Sequence, residues 1–443
     1  MRVAVVGAGI AGLTAAWELG RRGHEVVVLD GADHIGGKLL SGHVGGVQLD
    51  LGAESVLARR PEAVGLIEAV GLADQLQHPV TTRAGVWTRG AIRPLPPTVL
   101  GVPSDLEALA ASGIVDDVRA ESVPVPDQDV SVGEFVTARA GREVLQRLVE
   151  PLLGGVYAGH ADALSLRAAA PQLLALGDDP VTAAVAARAA ASDAPVAPVF
   201  AGLVGGVGTL PQAVADRSGA EVRTGSTVRL VERSGDGWRL LTGPVGDVEE
   251  VRADAVVVAT PAPATARLLA EVAPDAAFAL AGLDYASVAL VTIVLAEHFE
   301  LAGSGFLVPP VDDRFVKAAT FSSTKWAWVA DSGRTVLRAS VGRAGESRAL
   351  QLGDGELVDR VLANLAEAVG RLPRPADTHV QRWGGALPQY EVGHLDRVAT
   401  VRSSVASARG LEVCGAAYDG VGIAAVVAGA QAAVTRLLDE LGD

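Results

Sequence analysis

The sequence predicts an α/β fold: a discontinuous Rossmann-like dinucleotide-binding domain, a mixed-sheet substrate domain and a helical lid domain. Three observations predict it. The first thirty residues run strand, glycine turn, helix, strand and acid. Apolar, β-branched runs of the same kind return at 254–261 and at 411–414, so the opening domain is completed by distant segments. Between them, helical patterns dominate 104–176 and strand patterns dominate 262–390.

The opening unit is the most informative. Arg2-Val3-Ala4-Val5-Val6 is a short buried strand, and it runs into Gly7-Ala8-Gly9-Ile10-Ala11-Gly12. A helix follows over 13–19, then a strand over 25–29 that closes in Asp30. Gly7 permits the tight turn, Gly9 lets a pyrophosphate approach the backbone, and Gly12 lets the helix pack close. The helix start offers unpaired N–H groups and a positive dipole end. Asp30 is placed to accept hydrogen bonds from ribose hydroxyls. A bare GxGxxG is only a glycine-rich turn; with both strands and the acid in place, dinucleotide binding is the stronger reading.

The following segments extend this site. Gly36-Gly37-Lys38 can bring N–H groups and a positive charge against a second phosphate face. A strand at 47–51 leads into Gly52-Ala53-Glu54-Ser55, where a flat ring can lie against the backbone and Glu54 either functions or caps the next helix. That helix spans 61–71, with Ala63, Leu66, Ile67 and Val70 on one face. A hairpin turns at Arg89-Gly90, and Pro96, Pro97, Gly101 and Pro103 break regular structure. Ser131 and Glu134 form a capping box. Residues 154–160 interrupt the helical region, and alanine-rich 177–198, with Pro180, Pro195 and Pro198, reads as a mobile stretch or a helix flanked by loops. A small sheet covers 221–252, a long strand 287–295, and a helix 356–371. Residues 411–423 repeat strand, glycine turn and helix start, so a second helix N-terminus can face an electron-rich ring edge.

Composition narrows the partners. The 443-residue chain has a net charge of −15 and no basic block, which argues against nucleic acid and against tight binding to anionic membranes. Cys414 is its one cysteine, so no intrachain disulfide forms. The N-terminus enters a strand within two residues and reads as no signal peptide, and no segment is long enough to span a membrane. A cytoplasmic protein is expected, with peripheral contact at a membrane left open. Lysine occurs only at 38, 317 and 325, while arginine is abundant, a pattern expected from a GC-rich genome. No paired carboxylates or His–Asp arrangement demands a catalytic role, and no metal set is expected.

Four stretches carry a resemblance: 51–55; Glu150-Pro151-Leu152-Leu153-Gly154-Gly155-Val156-Tyr157-Ala158-Gly159 with Leu164-Ser165; Trp383 with Leu387-Pro388-Gln389-Tyr390-Glu391-Val392-Gly393-His394; and Tyr418-Asp419-Gly420-Val421-Gly422-Ile423. With the N-terminal fingerprint, the chain resembles the FAD-containing protoporphyrinogen and coproporphyrinogen oxidases of haem biosynthesis, within the amine-oxidase-like flavoproteins. The resemblance covers nearly the whole chain. It implies that Gly7 to Gly12, Asp30, Gly31, Gly37 and Lys38 hold the ADP half of FAD. Gly52, Ala53, Glu54 and Ser55 would lie beside the flavin, and Val228 would back the adenine through its main chain. Trp383 would sit near the isoalloxazine, with Val421, Gly422 and Ile423 at its pyrimidine edge. Arg83, Arg59 and Arg60 are the candidates for substrate propionates.

The resemblance also implies the chemistry. A porphyrinogen is oxidised to a porphyrin with dioxygen as acceptor, six electrons leave in three two-electron steps, and hydrogen peroxide is released. High-GC Gram-positive enzymes of this family act mainly on coproporphyrinogen III, which makes that the preferred substrate and protoporphyrinogen IX the alternative. A ferrochelatase is the implied downstream partner. The domains would be 1–58, 199–261 and 395–443 for FAD; 59–103 and 262–394 for substrate; and 104–198 for the helical lid. A flavin amine oxidase or carotenoid desaturase is a more distant reading. Against an amine oxidase, Gly415-Ala416-Ala417 lacks the usual acid, and Lys325 reads as a surface strand residue. A non-enzymatic relative of the GDP-dissociation inhibitors is disfavoured by the intact glycines and Asp30.

Overall fold

The computed structural model describes residues 1–190, 198–244 and 246–442. A five-stranded parallel sheet runs in the order Glu221–Arg223, Glu25–Leu29, Arg2–Val6, Ala255–Val258, Leu411–Val413. Its strands come from both ends and the middle of the chain, with Val3 aligned on Ala255 and Val256 on Leu411. The central strands are apolar without alternation because both faces are covered. On one face lie the first helix, Ile10–Gly20, and the C-terminal helix, Ile423–Leu441, through Leu13, Ala16, Val427 and Val434. On the other lie the antiparallel strands Val228–Ser234, Gly237–Thr242 and Glu249–Ala253, with Trp238 in that core.

A second sheet has seven strands, in the order Pro375–Pro388, Tyr285–Leu295, Val336–Val341, Ala318–Phe321, Gly305–Leu307, Ala84–Thr88, Ala91–Pro94. It is mixed, because Gly305–Leu307 runs parallel to Ala84–Thr88 while its other neighbours are antiparallel. The hairpin closes at Arg89-Gly90, both with positive φ, a turn that matches the strand twist. Helix Asp354–Val369 lays Leu357, Val361 and Leu365 on one face of this sheet. The opposite face is only partly covered.

Helices Val132–Ala140, Glu150–Tyr157 and Pro180–Ala190 belong to a third layer around Phe135, Leu145, Leu148 and Leu164. Ser131 Oγ accepts from the Glu134 N–H at 3.0 Å, the expected N-cap. Two expectations need correction. Gly154 and Gly155 do not interrupt the helical region; they lie inside helix Glu150–Tyr157, and the break comes at Ala158, at φ 48°. The glycine at 154 is a packing device: a Cβ there would stand 3.1 Å from Arg343 Nη1. Lys325 is no surface strand residue; it ends the short helix Ser322–Lys325 and is mostly buried. Of the stretch 177–198, Pro180–Ala190 is helical, and 191–197, with Pro195, lies outside the described residues.

Candidate active site

The glycine turn is shaped by contacts that forbid side chains. Gly7 has φ +107°, and Gly12 has no room, since a Cβ would fall 1.9 Å from the Gly7 carbonyl oxygen. Gly9 differs. It caps the first helix with no side-chain hydrogen bond, and a Cβ on it would meet nothing within 4 Å. The N–H groups of Ile10, Ala11 and Gly12 have no acceptor within the helix, so the open side of Gly9 faces unpaired donors. Ala8 is different again: its N–H is bound by Asp30 Oδ2 at 2.5 Å, while Asp30 Oδ1 accepts from Ala32 N at 2.8 Å. Asp30 therefore locks the turn between the two strands, and its remaining lone pairs are left for a ligand.

Neighbouring loops close around this turn. Gly36 N donates to Ala8 O at 2.8 Å, and Gly37, at φ +59°, brings its α-carbon region against Gly9. Gly31 is pressed by Thr227, whose Oγ1 would lie 2.7 Å from a Cβ, and Ser226 N donates to Asp30 O at 2.7 Å. Val228 follows directly, at a bulge where its strand pairing shifts. Lys38 departs from its expected place. Its ammonium donates to Ala386 O at 2.6 Å, on strand Pro375–Pro388, and burial lowers its pKa. The charge expected at a phosphate is thus carried to the other end of the site.

That other end is a wall of side chains. Gly52 touches Lys38 O and the Trp383 ring, at 1.9 and 3.3 Å from its would-be Cβ, and Trp383 Nε1 donates to Leu51 O at 3.1 Å. Ala53 is exposed and Ser55 half-buried beside it. Glu54 is ion-paired with Lys325 and with Arg338, the latter at 2.6 Å, while Arg338 Nη2 also holds Gly52 O at 2.6 Å. Burial pushes the Glu54 pKa up, but the two cations outweigh it and hold the carboxyl at about 2. Glu54 is therefore a structural anion, not a helix cap.

The C-terminal loop completes the wall. Gly422 caps helix Ile423–Leu441 without a side-chain hydrogen bond, and a Cβ on it would also meet nothing. Ile423 is buried beside the first helix, and half-buried Val421 packs on the helical layer. Two uncapped helix N-termini thus belong to adjacent, packed helices. Tyr390 ties this loop to the signature stretches. Its Oη donates to Ala416 O at 2.7 Å and accepts from Gly420 N at 2.8 Å, and its ring stacks on His394 at 3.7 Å. Gln389 Nε2 donates to Tyr157 O at 2.8 Å, and Ser165 N donates to Tyr390 O at 2.7 Å. The two sequence signatures around 154–165 and 383–394 are therefore one piece of structure. Burial lowers the His394 pKa to about 4 and raises Tyr390, so neither titrates near neutrality.

Trp383 and Arg338 of this wall belong to the seven-stranded sheet, which has a partly uncovered face. Gln381, Leu290, Ser340, Ala318 and Leu307 are paired across five adjacent strands, and all are half-exposed. Residues beside them, such as Ala289, Ala339, Ala319 and Phe306, are buried under helix Asp354–Val369. The sheet is thus dry on one face and partly exposed on the other. Arg83, exposed, precedes the strand Ala84–Thr88 of this same sheet. Arg59 is exposed on the loop before the second helix, and Arg60 is engaged by Glu62, at 2.8 Å. Sequence reasoning missed Arg338, although a lone arginine within the apolar run 336–341 marks it. Among the described residues, no group of three His, Cys, Asp or Glu could hold a metal.

Open donors at two helix starts, a Cβ-free approach at Gly9 and Gly422, and a flat wall at Gly52–Trp383 fit a dinucleotide that carries a planar ring. The chain belongs to the flavin containing amine oxidoreductases, whose family model matches residues 10–438. It is a flavin-dependent oxidoreductase. Within that class, it is 36% identical to the coproporphyrinogen III oxidase of Mycobacterium leprae, over 99% of this chain and 98% of the relative. It is 28% identical to the chloroplastic protoporphyrinogen oxidase 1 of Arabidopsis thaliana, over 96% of this chain and 86% of the relative. A solved structure of a provisional protoporphyrinogen oxidase from Exiguobacterium sp. 255-15 superposes with a TM-score of 0.88 at 30% identity, covering 100% of this chain and 99% of that one. Among the described residues, no helix is long and apolar enough to cross a membrane.

Proposed function

We propose that this chain is an oxygen-dependent, FAD-containing coproporphyrinogen III oxidase of haem biosynthesis. It removes six electrons from the macrocycle and releases hydrogen peroxide. The observation that carries this reading is the pairing of a Cβ-free cradle with an open sheet face, in a chain alike from end to end to coproporphyrinogen III oxidases. FAD, when bound, supplies a two-electron acceptor that dioxygen reoxidises.

The chain's own residues bind, orient and enclose. Gly7 to Gly12, Gly31 and Gly37 present backbone to the ADP half, Asp30 accepts from its ribose, and Val228 backs the adenine. Gly52, Ala53, Ser55 and Trp383 form the surface for the ring, with Lys38 and Glu54 stiffening it from behind. Val421, Gly422 and Ile423 offer N–H groups to its electron-rich edge. The half-exposed row from Gln381 to Leu307 takes the apolar macrocycle, with Arg83 as rim cation for a propionate and Arg59 as a second. Imine–enamine tautomerisation carries hydrogens round the macrocycle, so the wall beside the ring requires no strong base. Glu54, locked as an anion, and Tyr390, held neutral, offer none.

An amine oxidase is the weaker alternative, because Lys325 is bound to Glu54 and presents no free amine. Protoporphyrinogen IX stands as the second substrate reading, in line with the likeness to the protoporphyrinogen oxidases of Exiguobacterium and Arabidopsis. We assign 1–58, 199–261 and 395–443 to FAD, 59–103 and 262–394 to substrate, and 104–198 to a lid. Cytoplasmic action upstream of a ferrochelatase completes the proposal. Anaerobic mixing of the yellow holoenzyme with coproporphyrinogen III tests it. Bleaching of the flavin band, with porphyrin fluorescence rising in step, is expected; a band left unchanged would sink the reading.

A further inference from the structure

The chain has only three lysines, and none is on an open surface. Lys38 and Lys325 have partners at the ring wall, as described. Lys317 is buried, at 8% exposure, and so is Arg343, at 7%. Lys317 Nζ donates to Gly154 O at 3.2 Å, and Arg343 Nη2 donates to Val308 O at 3.0 Å. Arg343 Nη1 also lies against Gly154. Two cations thus meet under one turn of helix Glu150–Tyr157, and among the described residues neither is in a salt bridge with a carboxylate. The contrast with Arg338 and Lys325, which share Glu54, is plain.

Glu346 acts on both cations from a distance and Glu150 on Arg343, but neither carboxylate is paired with them, and buried cations left unpaired are costly. Burial, then the Arg343 charge, brings Lys317 down to about 7. Their position gives this a use. Lys317 Nζ reaches Gly154, and the next residue, Gly155, would place a Cβ 3.8 Å from Leu307 Cδ2 of the half-exposed row. The pair therefore stands where the open sheet face runs in under the helical layer. Lys317 spends one of its three N–H donors on Gly154. A planar guanidinium beside an ammonium matches a carboxylate.

We infer that Lys317 and Arg343 are a carboxylate seat at the edge of the open sheet face, taking a propionate that coproporphyrinogen III has and protoporphyrinogen IX lacks. This rests on the proposed function, and it makes the pair a determinant of substrate choice. Coproporphyrinogen III carries four propionates; protoporphyrinogen IX has vinyl groups in place of two of them.

The test compares FAD-loaded wild type, Lys317→Met and Lys317→Arg with both porphyrinogens, and measures binding of the product coproporphyrin III by fluorescence. Loss of one charge-assisted hydrogen bond corresponds to roughly 10- to 100-fold in affinity. Lys317→Met should raise KM for coproporphyrinogen III by about that factor with kcat little changed, and should leave KM for protoporphyrinogen IX near wild type. Coproporphyrin III binding should weaken in parallel, and Lys317→Arg should restore most of both. An equal loss on both substrates with a lowered melting temperature would mean that Lys317 only holds Gly154, and would overturn the inference. Unchanged KM and unchanged product binding would overturn it too. If Lys317→Met does not fold, Arg343→Gln carries the same comparison. Failure of wild type to oxidise either porphyrinogen would defeat the proposed function instead; weakened coproporphyrin III binding in the variants would then still support the seat.

Discussion

Between Gly7 and Gly37 the site is made almost entirely of backbone, whereas between Gly52 and Trp383 it is made of side chains from far apart in the chain. The first region needs the absence of Cβ atoms at Gly12 and Gly9 and one carboxylate, Asp30, to lock its turn. The second needs Glu54, Lys325, Arg338 and Lys38 to be brought together across some 300 residues and buried. On the proposed function, the difference teaches that a phosphate is met by geometry, which is cheap to specify locally. A flat ring and an anionic substrate are met by charges and walls, which only the tertiary fold can assemble.

A set of substitutions and one pH titration sharpen the contrast. The largest effect is expected from Gly12→Ala, where the new methyl would meet the Gly7 carbonyl. Destabilisation above ~4 kcal/mol and a colourless protein are expected, read by denaturant titration and the flavin spectrum. If Gly12→Ala stays yellow and stable, the backbone account of the first region is broken. Next is Glu54→Ala, which strands two buried cations and should cost ~3 kcal/mol. Adding Lys325→Met should recover part of that loss in the same titration.

The pH dependence follows from the same group. The Glu54 carboxyl is held at about 2 in the folded chain against an ordinary 4.5. Its contribution is therefore complete above pH 4.5 and is lost as pH falls from 4.5 towards 2. Stability measured across that window should fall less steeply in Glu54→Gln than in wild type; parallel slopes would contradict the ion-pair reading.

Tyr390→Phe keeps the stack on His394 but frees Ala416 O and Gly420 N. A loss of ~1–2 kcal/mol in stability is expected, with a shifted flavin spectrum because the loop before Gly422 is released. The smallest effect on stability belongs to Gly9→Ala, within ~0.5 kcal/mol, since its Cβ meets nothing in the chain. FAD retention should nevertheless drop sharply on gel filtration. A Gly9→Ala protein that keeps its FAD would place the pyrophosphate elsewhere.

The same contrast explains what could be read before the fold was known. The glycine turn, Asp30 and the helix start at Ile423 were legible because strand, turn and helix are adjacent in sequence. Trp383 and Gly52 were legible through the family resemblance, and the structure adds that they touch. The partners of Glu54 were not legible, because residues 54, 325 and 338 lie far apart in sequence and meet only in the tertiary fold. Lys38 pointed to a phosphate by its neighbours, yet the chain turns after Gly37 and carries its ammonium to Ala386. Arg60 read as a free cation, but Glu62 lies two residues away. The rarity of lysine was visible from the start; that all three lysines are interior was not.

The central claim is that an FAD cradle and an open, cation-edged sheet face oxidise a tetracarboxylate porphyrinogen. Aerobic turnover of coproporphyrinogen III and protoporphyrinogen IX in parallel, followed by porphyrin fluorescence above the no-enzyme rate, tests it most directly. Faster formation of coproporphyrin III is the predicted result. No acceleration of either substrate by protein with FAD bound would contradict the account.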